Sequence, residues 1–183
     1  MSIDRRTLLK LGLASSALLA VGGVGLGMRP TVYVPANGPL THLNARQYSV
    51  FYAMADAIVS PTDEMPSIEG LAVVETIDEM LNELHPEDVA QLLQAVGLLE
   101  NALTGLLLDG RFHTFTSASR AVRVEILDGW RSSRLSVKQQ AYTAMHALCV
   151  AAYWGNPAAY LFTGYMGPPD FSGLVPSQEL EDG

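Results

Sequence analysis

The chain has 183 residues, 49% of them hydrophobic, and a formal net charge of −8. So apolar a composition is typical of a folded body, because its burial can offset the conformational entropy lost on folding. The first 30 residues carry four basic side chains and one acidic one, which leaves 7 of the 11 basic and 18 of the 19 acidic residues for the rest of the chain. So acidic a body repels nucleic acid phosphates, which excludes nucleic acid as a partner.

The N-terminus carries a pattern typical of twin-arginine export signals. The pair Arg5-Arg6 is followed at close spacing by Leu8, Leu9 and Lys10. Residues 11–28 hold no charge, but glycines and serines dilute their leucines and valines. A stable membrane span needs sustained strong apolarity over about 20 residues. The segment therefore favours a twin-arginine export signal over a membrane-spanning helix.

Residues 1–36 are predicted to be this signal or an N-terminal anchor. The best small-residue cleavage site is Val34-Pro35-Ala36, and no Ala-x-Ala sequence directly follows the apolar run. Cleavage at this site and retention of the segment as an anchor both stay open. An ordinary signal or a one-span anchor with a cationic flank is the alternative reading of the arginine pair.

Apolar residues at helical spacing predict an all-α body over residues 37–170, a small bundle of about five helices. The acidic residues of the second helix, Asp78 and Glu79 among them, are predicted to lie on its outer face in solvent. The predicted helices are a first from Thr41 or Asn44 to Ser60-Pro61, a second over residues 71–84, a third from Pro86 to Gly105 or Gly110, a fourth from Ser117 or Ser119, and a fifth from a capping box at residues 136–139 to residues 155–157.

The C-terminal part differs in kind, because residues 153–170 place aromatic side chains between glycines and prolines. Such residues do not continue a helix, so an irregular segment is predicted. It is either a cap folded back over the bundle or an exposed docking surface, since aromatic residues are enriched at interface cores. Residues 171–183 are predicted to be an acidic flexible tail. The candidate docking residues are Tyr153, Trp154, Tyr160, Phe162, Tyr165 and Pro168.

No catalytic, cofactor or metal site is predicted on this chain. The glycines of residues 22–27 follow no predicted strand, so they do not form a dinucleotide-binding loop. The lone Cys149 cannot hold a c-type haem or an iron–sulfur cluster and is predicted to be a small core residue. The histidines fall on different segments without metal-ligand spacing; they are His42, His85, His113 and His146.

Two motifs in this order resemble the gluconate 2-dehydrogenase subunit 3 family. The first is Ala55-Asp56-Ala57-Ile58-Val59-Ser60-Pro61 at the end of the first helix. The second is the C-terminal series that begins at Tyr153-Trp154-Gly155-Asn156-Pro157 and ends at Gly164-Tyr165-Met166-Gly167-Pro168-Pro169. The arginine-pair signal and the acidic second helix also belong to this arrangement. The resemblance covers roughly residues 40–170, which is nearly the whole body after the signal.

The resemblance implies an accessory subunit of a membrane-associated sugar or alcohol dehydrogenase, not itself an enzyme. In such complexes FAD is bound by a large subunit of the glucose-methanol-choline type, and a cytochrome c subunit often passes electrons onward. The small subunit resembles an escort, whose signal takes a signal-less flavoprotein through the twin-arginine translocon to the periplasm or the periplasmic face of the inner membrane.

Two alternatives stay beside this expectation. The first is a self-contained exported helical protein without a dehydrogenase partner. The second is a chain that itself has dehydrogenase activity, which would require flavin bound to the isolated subunit. The substrate of a complex is not encoded here, since selectivity would lie in the large subunit.

Overall fold

The computed structural model describes residues 32–101, 114–165, 167 and 169. Within these ranges the chain is an all-α small bundle without strands, as predicted. No helix in the described ranges is long and apolar enough to cross a membrane. The elements are α1 (Ala45–Val59), α2 (Val73–Met80) with a 3-10 turn (Leu81–Glu83), α3 (Pro86–Glu100), α4 (Arg120–Arg131), α5 (Ser136–Trp154) and α6 (Pro157–Thr163).

Helix α1 begins and ends where the sequence predicts. The Asn44 side chain accepts hydrogen bonds from the backbone N–H groups of Arg46 and Gln47, while the Gln47 side chain accepts from the Asn44 backbone N–H, which completes a capping box. At the other end Ser60 adopts a left-handed conformation and its N–H donates to the Asp56 carbonyl. Pro61 follows and has no N–H with which to continue the helix.

The core lies where α1 packs against α2, α4 and the long helix α5. Phe51 and Met54 of α1 and Met145 and Cys149 of α5 are fully buried. Burial raises the pKa of the Cys149 thiol to about 12, because the apolar surroundings disfavour the thiolate. Cys149 is thus an unreactive core residue, as the sequence predicts.

Residues 32–44, here called the N-terminal strap, cross the bundle before α1. The Val32 N–H donates to Thr116 Oγ1 at 3.0 Å, and the Val34 N–H donates to Ser49 Oγ at 2.9 Å. The side chains of Val34 and Ala36 pack against the core. Part of the predicted signal, residues 32–36, is therefore in contact with the body.

Asp78 holds the second half of the strap. Its carboxylate accepts the backbone N–H groups of Thr41, His42 and Leu43 at 2.6, 2.9 and 2.8 Å. The prediction that Asp78 lies in solvent is wrong: the residue is only 4% exposed because the strap covers this side of α2. The neighbouring Glu79 is exposed, as predicted.

Two other acidic residues join helices that are distant in sequence. Asp56 of α1 forms ion pairs with Arg120 and Arg123 of α4. Glu100, the fully buried last residue of α3, accepts both the N–H and the hydroxyl of Thr116, at 2.9 and 2.7 Å. Arg123 also donates to the Thr116 carbonyl at 2.7 Å. These contacts fix the start of α4 against α1 and α3.

Three predicted helix ends differ from the structure. The second helix begins later, because Ala72 is left-handed and α2 starts at Val73. The third ends earlier, because Asn101 is extended rather than helical. The capping box predicted at residues 136–139 is wrong, since Ser136 is already the first helical residue and Leu135 holds the cap position without a side-chain acceptor. The predicted start of the third helix at Pro86 is confirmed, and of the two predicted starts of the fourth helix Ser119 is the cap residue.

We expect Asp78→Ala to lower the free energy of unfolding by about 2–3 kcal/mol, because three backbone donors lose a charged acceptor. Urea denaturation followed by circular dichroism measures the change. Glu79→Ala is the matched control, an exposed acid one residue away, and should change stability by no more than about 0.5 kcal/mol. Equal effects for the two variants would contradict the role given to Asp78.

Candidate docking surfaces

The residues predicted to matter for function fall into two groups. The export-signal residues Arg5, Arg6, Leu8, Leu9 and Lys10 lie outside the described residues. Of the candidate docking residues, Tyr153 and Trp154 lie at the end of α5, Tyr160 and Phe162 lie on α6, and Tyr165 follows its cap. Pro168 falls outside the described residues.

Tyr153 belongs to the core rather than to an accessible surface. It has no exposed area, and its hydroxyl donates to the Pro66 carbonyl at 2.7 Å. Desolvation raises the pKa of this phenol. Its ring meets the Trp154 ring edge to face, with 4.9 Å between the centroids. Tyr153 therefore joins α5 to the loop before α2, and Trp154 is half-buried beside it.

The segment after Gly155 was predicted to be irregular, and this is wrong for its first part. Pro157 occupies the first turn of α6, where a missing N–H costs nothing, and the Asn156 side chain accepts the Ala158 N–H. The helix ends at Gly164, whose φ of 70° is left-handed. Proline and glycine thus begin and end a short helix here.

Helix α6 exposes an apolar surface. The side chains of Leu161, Phe162 and Tyr165, here called the α6 patch, are 85%, 45% and 50% exposed. The Tyr165 ring rests edge to face on the half-buried ring of Tyr160, with 5.1 Å between the centroids. Phe162 and Tyr165 were predicted from the sequence as docking residues because they are aromatic. Leu161 was not predicted.

A second apolar surface was not predicted at all. It is an open groove of about 570 Å³ between α3 and α5, closed at one side by the end of α2. Only a few polar side chains, such as Gln91 and Gln140, reach it. We call it the α3–α5 groove, and its apolar lining includes Leu92, Ala95, Val137, Ala144, Leu148 and Ala151.

The spacing of apolar residues in the sequence of α5 does indicate this groove. Val137, Ala141, Ala144, Leu148 and Ala151 alternate spacings of four and three residues, which is the spacing of a seam between packed helices. The inner side of α5 is also apolar, and a helix that is apolar on two sides is usually covered on both. When the apolar residues of α5 are all assigned to the core, this second apolar side of the helix goes unnoticed.

The described histidines serve structural contacts. The His42 ring nitrogen Nε2 lies 3.0 Å from the Asn82 side-chain oxygen, and the His85 ring accepts the N–H of Glu87 at the start of α3. His146 stacks on Tyr142 beside a small cavity of about 170 Å³. Among the residues that the structure describes, no group of three potential ligands has the arrangement of a metal site. His113 lies outside them.

No family model, curated protein or solved structure matches this chain.

We expect Tyr153→Ala to destabilise the fold by about 3–5 kcal/mol, because it removes a fully buried ring. Tyr165→Ala is the matched control, since it deletes the same side chain from a half-exposed position, and should cost less than about 1 kcal/mol. Thermal or urea unfolding of the purified variants measures both. Similar losses would show that the α6 patch also belongs to the core.

Proposed function

We propose that this chain is a non-catalytic accessory subunit of an FAD-dependent sugar or alcohol dehydrogenase of the glucose-methanol-choline type. In this proposal FAD is bound by the large subunit, and a cytochrome c subunit can accept the electrons. The accessory chain stabilises the flavoprotein and brings it through the twin-arginine translocon to the periplasm or the periplasmic face of the inner membrane. The sequence resemblance and the arginine pair support the proposal.

The two motifs of the resemblance have different structural settings. In the first, Ala55 and Ala57 are buried and Asp56 binds the arginines of α4, so folding alone accounts for it. In the second, Tyr153 is core, but Phe162 and Tyr165 remain exposed beside Leu161. Exposed aromatic and aliphatic side chains in one patch are typical of protein interfaces. This patch is the observation that carries the partner hypothesis.

The export role predicts that the arginine pair is needed for both proteins to leave the cytoplasm. We expect the double substitution Arg5→Lys and Arg6→Lys, which preserves charge, to keep this chain and its flavoprotein partner in the cytoplasm. Cell fractionation with flavin-linked dehydrogenase activity measures the outcome. Arg29→Lys is the matched control and should leave export unchanged. Normal export of the flavoprotein beside the double variant would overturn the escort role.

A deletion offers a second test of export, and the structure determines where it must end. Removal of residues 1–36 would also remove strap contacts, because Val32 and Val34 bind the body. Removal of residues 1–31 keeps them, so loss of export by this variant reports on the signal and not on folding.

The docking role predicts that the α6 patch binds the flavoprotein. We expect the triple substitution Leu161→Ala, Phe162→Ala and Tyr165→Ala to weaken co-purification, with a dissociation constant raised about 10- to 100-fold. Circular dichroism should show unchanged helicity, because these side chains are exposed. The matched control is Val124→Ala with Leu135→Ala, two exposed apolar residues elsewhere on the body. Full binding by the triple variant would assign docking to another surface.

A further inference from the structure

The α3–α5 groove presents an apolar face of α5 that the described residues leave uncovered. Ala144, Ala147 and Ala151 are exposed, although the same helix contributes core residues on its other side. Val137 is 62% exposed and Leu84 is 41% exposed, and both line the groove. The small side chains permit close approach of another backbone, and the larger ones enclose it.

We propose that the groove is a docking site for the apolar segment of this chain's own N-terminus, residues 11–28, which lies there as a helix before export. The consequence for export rests on the proposed function, whereas the docking itself does not. The folded body then covers its own signal until the translocon takes it up.

The position at which the N-terminal segment leaves the body is the first argument. The Val32 N–H binds Thr116, which in turn binds Glu100 at the end of α3. Helix α3 is one wall of the groove. Positions 92 and 95 face a different side of the helix from Glu100, so a segment that docks in the groove would have to cross the helix end. Residues 29–31 span about 10 Å when extended, which equals the width of a helix.

Length is the second argument. A helix of residues 11–28 would extend over about 27 Å, and the 15 residues of α3 over about 22 Å. The groove face of α5, from Val137 to Ala151, is about 21 Å long. A segment that starts near Glu100 therefore reaches the opposite end of α3 within its own uncharged length.

Charge is the third argument. In this arrangement the segment runs parallel to α3, so Lys10 and the arginine pair arrive at the start of α3. That end exposes Glu83, Glu87 and Asp88, the last of which lines the groove. Opposite charges would then meet at the far end, whereas a second copy of this acidic body would add like charge. The chain's own basic N-terminus fits this groove better than a second copy does.

Composition is the fourth argument. The segment contains Gly12, Gly22, Gly23, Gly25 and Gly27. Glycines in one helix facing alanines in another allow the two backbones to pack closely. The dilution that makes the segment a poor membrane span thus suits a groove lined by alanines.

Disulfide trapping in the purified full-length chain tests the docking without any partner or export step. Ala144→Cys is combined, one at a time, with a cysteine at each of positions 17, 18, 19 and 20. A disulfide requires Cα atoms within about 7 Å, so one or two of the four positions should react on one helical face. Cys149 can stay, because its burial makes the thiol unreactive. Ala90→Cys is the matched control, an exposed alanine of α3 that does not line the groove.

We expect intramolecular disulfides to Ala144→Cys to form about tenfold faster than to Ala90→Cys, because docking raises the local concentration of the thiol. The rates should also differ among the four successive positions. Equal rates at both sites, or no dependence on position, would overturn the proposal. Disulfides formed only between chains would overturn it in favour of a second copy. Trapping at Ala144→Cys together with normal export of the flavoprotein beside the Arg5→Lys, Arg6→Lys variant would instead count against the proposed function alone.

Discussion

The buried carboxylate of Glu100 is the constraint that organises one half of the bundle. A charged group without exposure is costly unless its oxygens are hydrogen-bonded, and Thr116 supplies both the N–H and the hydroxyl that bind them. The Thr116 hydroxyl also accepts a hydrogen bond from the Val32 N–H, and the Thr116 carbonyl accepts one from the Arg123 guanidinium. Through Arg123 the network reaches Asp56 of α1. One threonine thus joins the strap to three helices and fixes where the N-terminal segment leaves the body.

The acidic residues of α2 hold the other half of the strap against the body. Asp78 binds three successive backbone donors, and Glu75 accepts the Asn37 N–H and the Tyr48 hydroxyl, at 3.0 and 2.9 Å. The strap forms no regular secondary structure of its own, so its donors need acceptors from elsewhere. The acidity of the body is therefore partly structural: some carboxylates replace the backbone partners that a strand or helix would have provided.

The helices with local signals were predictable, and the features that depend on distant residues were not. The Asn44 cap, the Ser60 stop and the Pro86 start follow from side chains next to the helix ends, so the sequence alone predicts them. The burial of Asp78 follows from a strap more than 30 residues away, which periodicity cannot show. At α6 the local signal was available but ambiguous, because a proline that ends one helix also begins the next.

The candidate surfaces were predictable to different degrees for the same reason. Aromatic residues between glycines and prolines mark the C-terminus as unusual, but sequence alone does not separate the buried ring of Tyr153 from the exposed ring of Tyr165. The Pro66 carbonyl separates them, since it gives one hydroxyl a partner within the fold. The α3–α5 groove needs still more information, because its two walls are far apart in sequence and its spacing signal resembles that of an ordinary core helix.

The strap also bears on how the N-terminal segment is separated from the body. The twin-arginine route transports folded proteins. On this route the small-residue site at Val34-Pro35-Ala36 is already part of the folded strap when the chain reaches the export channel. There the Val34 N–H is bound to Ser49, and Ala36 packs against the core. A processing enzyme needs an extended, accessible backbone, so cleavage after Ala36 requires the strap to detach first. The fold therefore favours retention of residues 32–36 with the body over cleavage at the site that sequence alone selects.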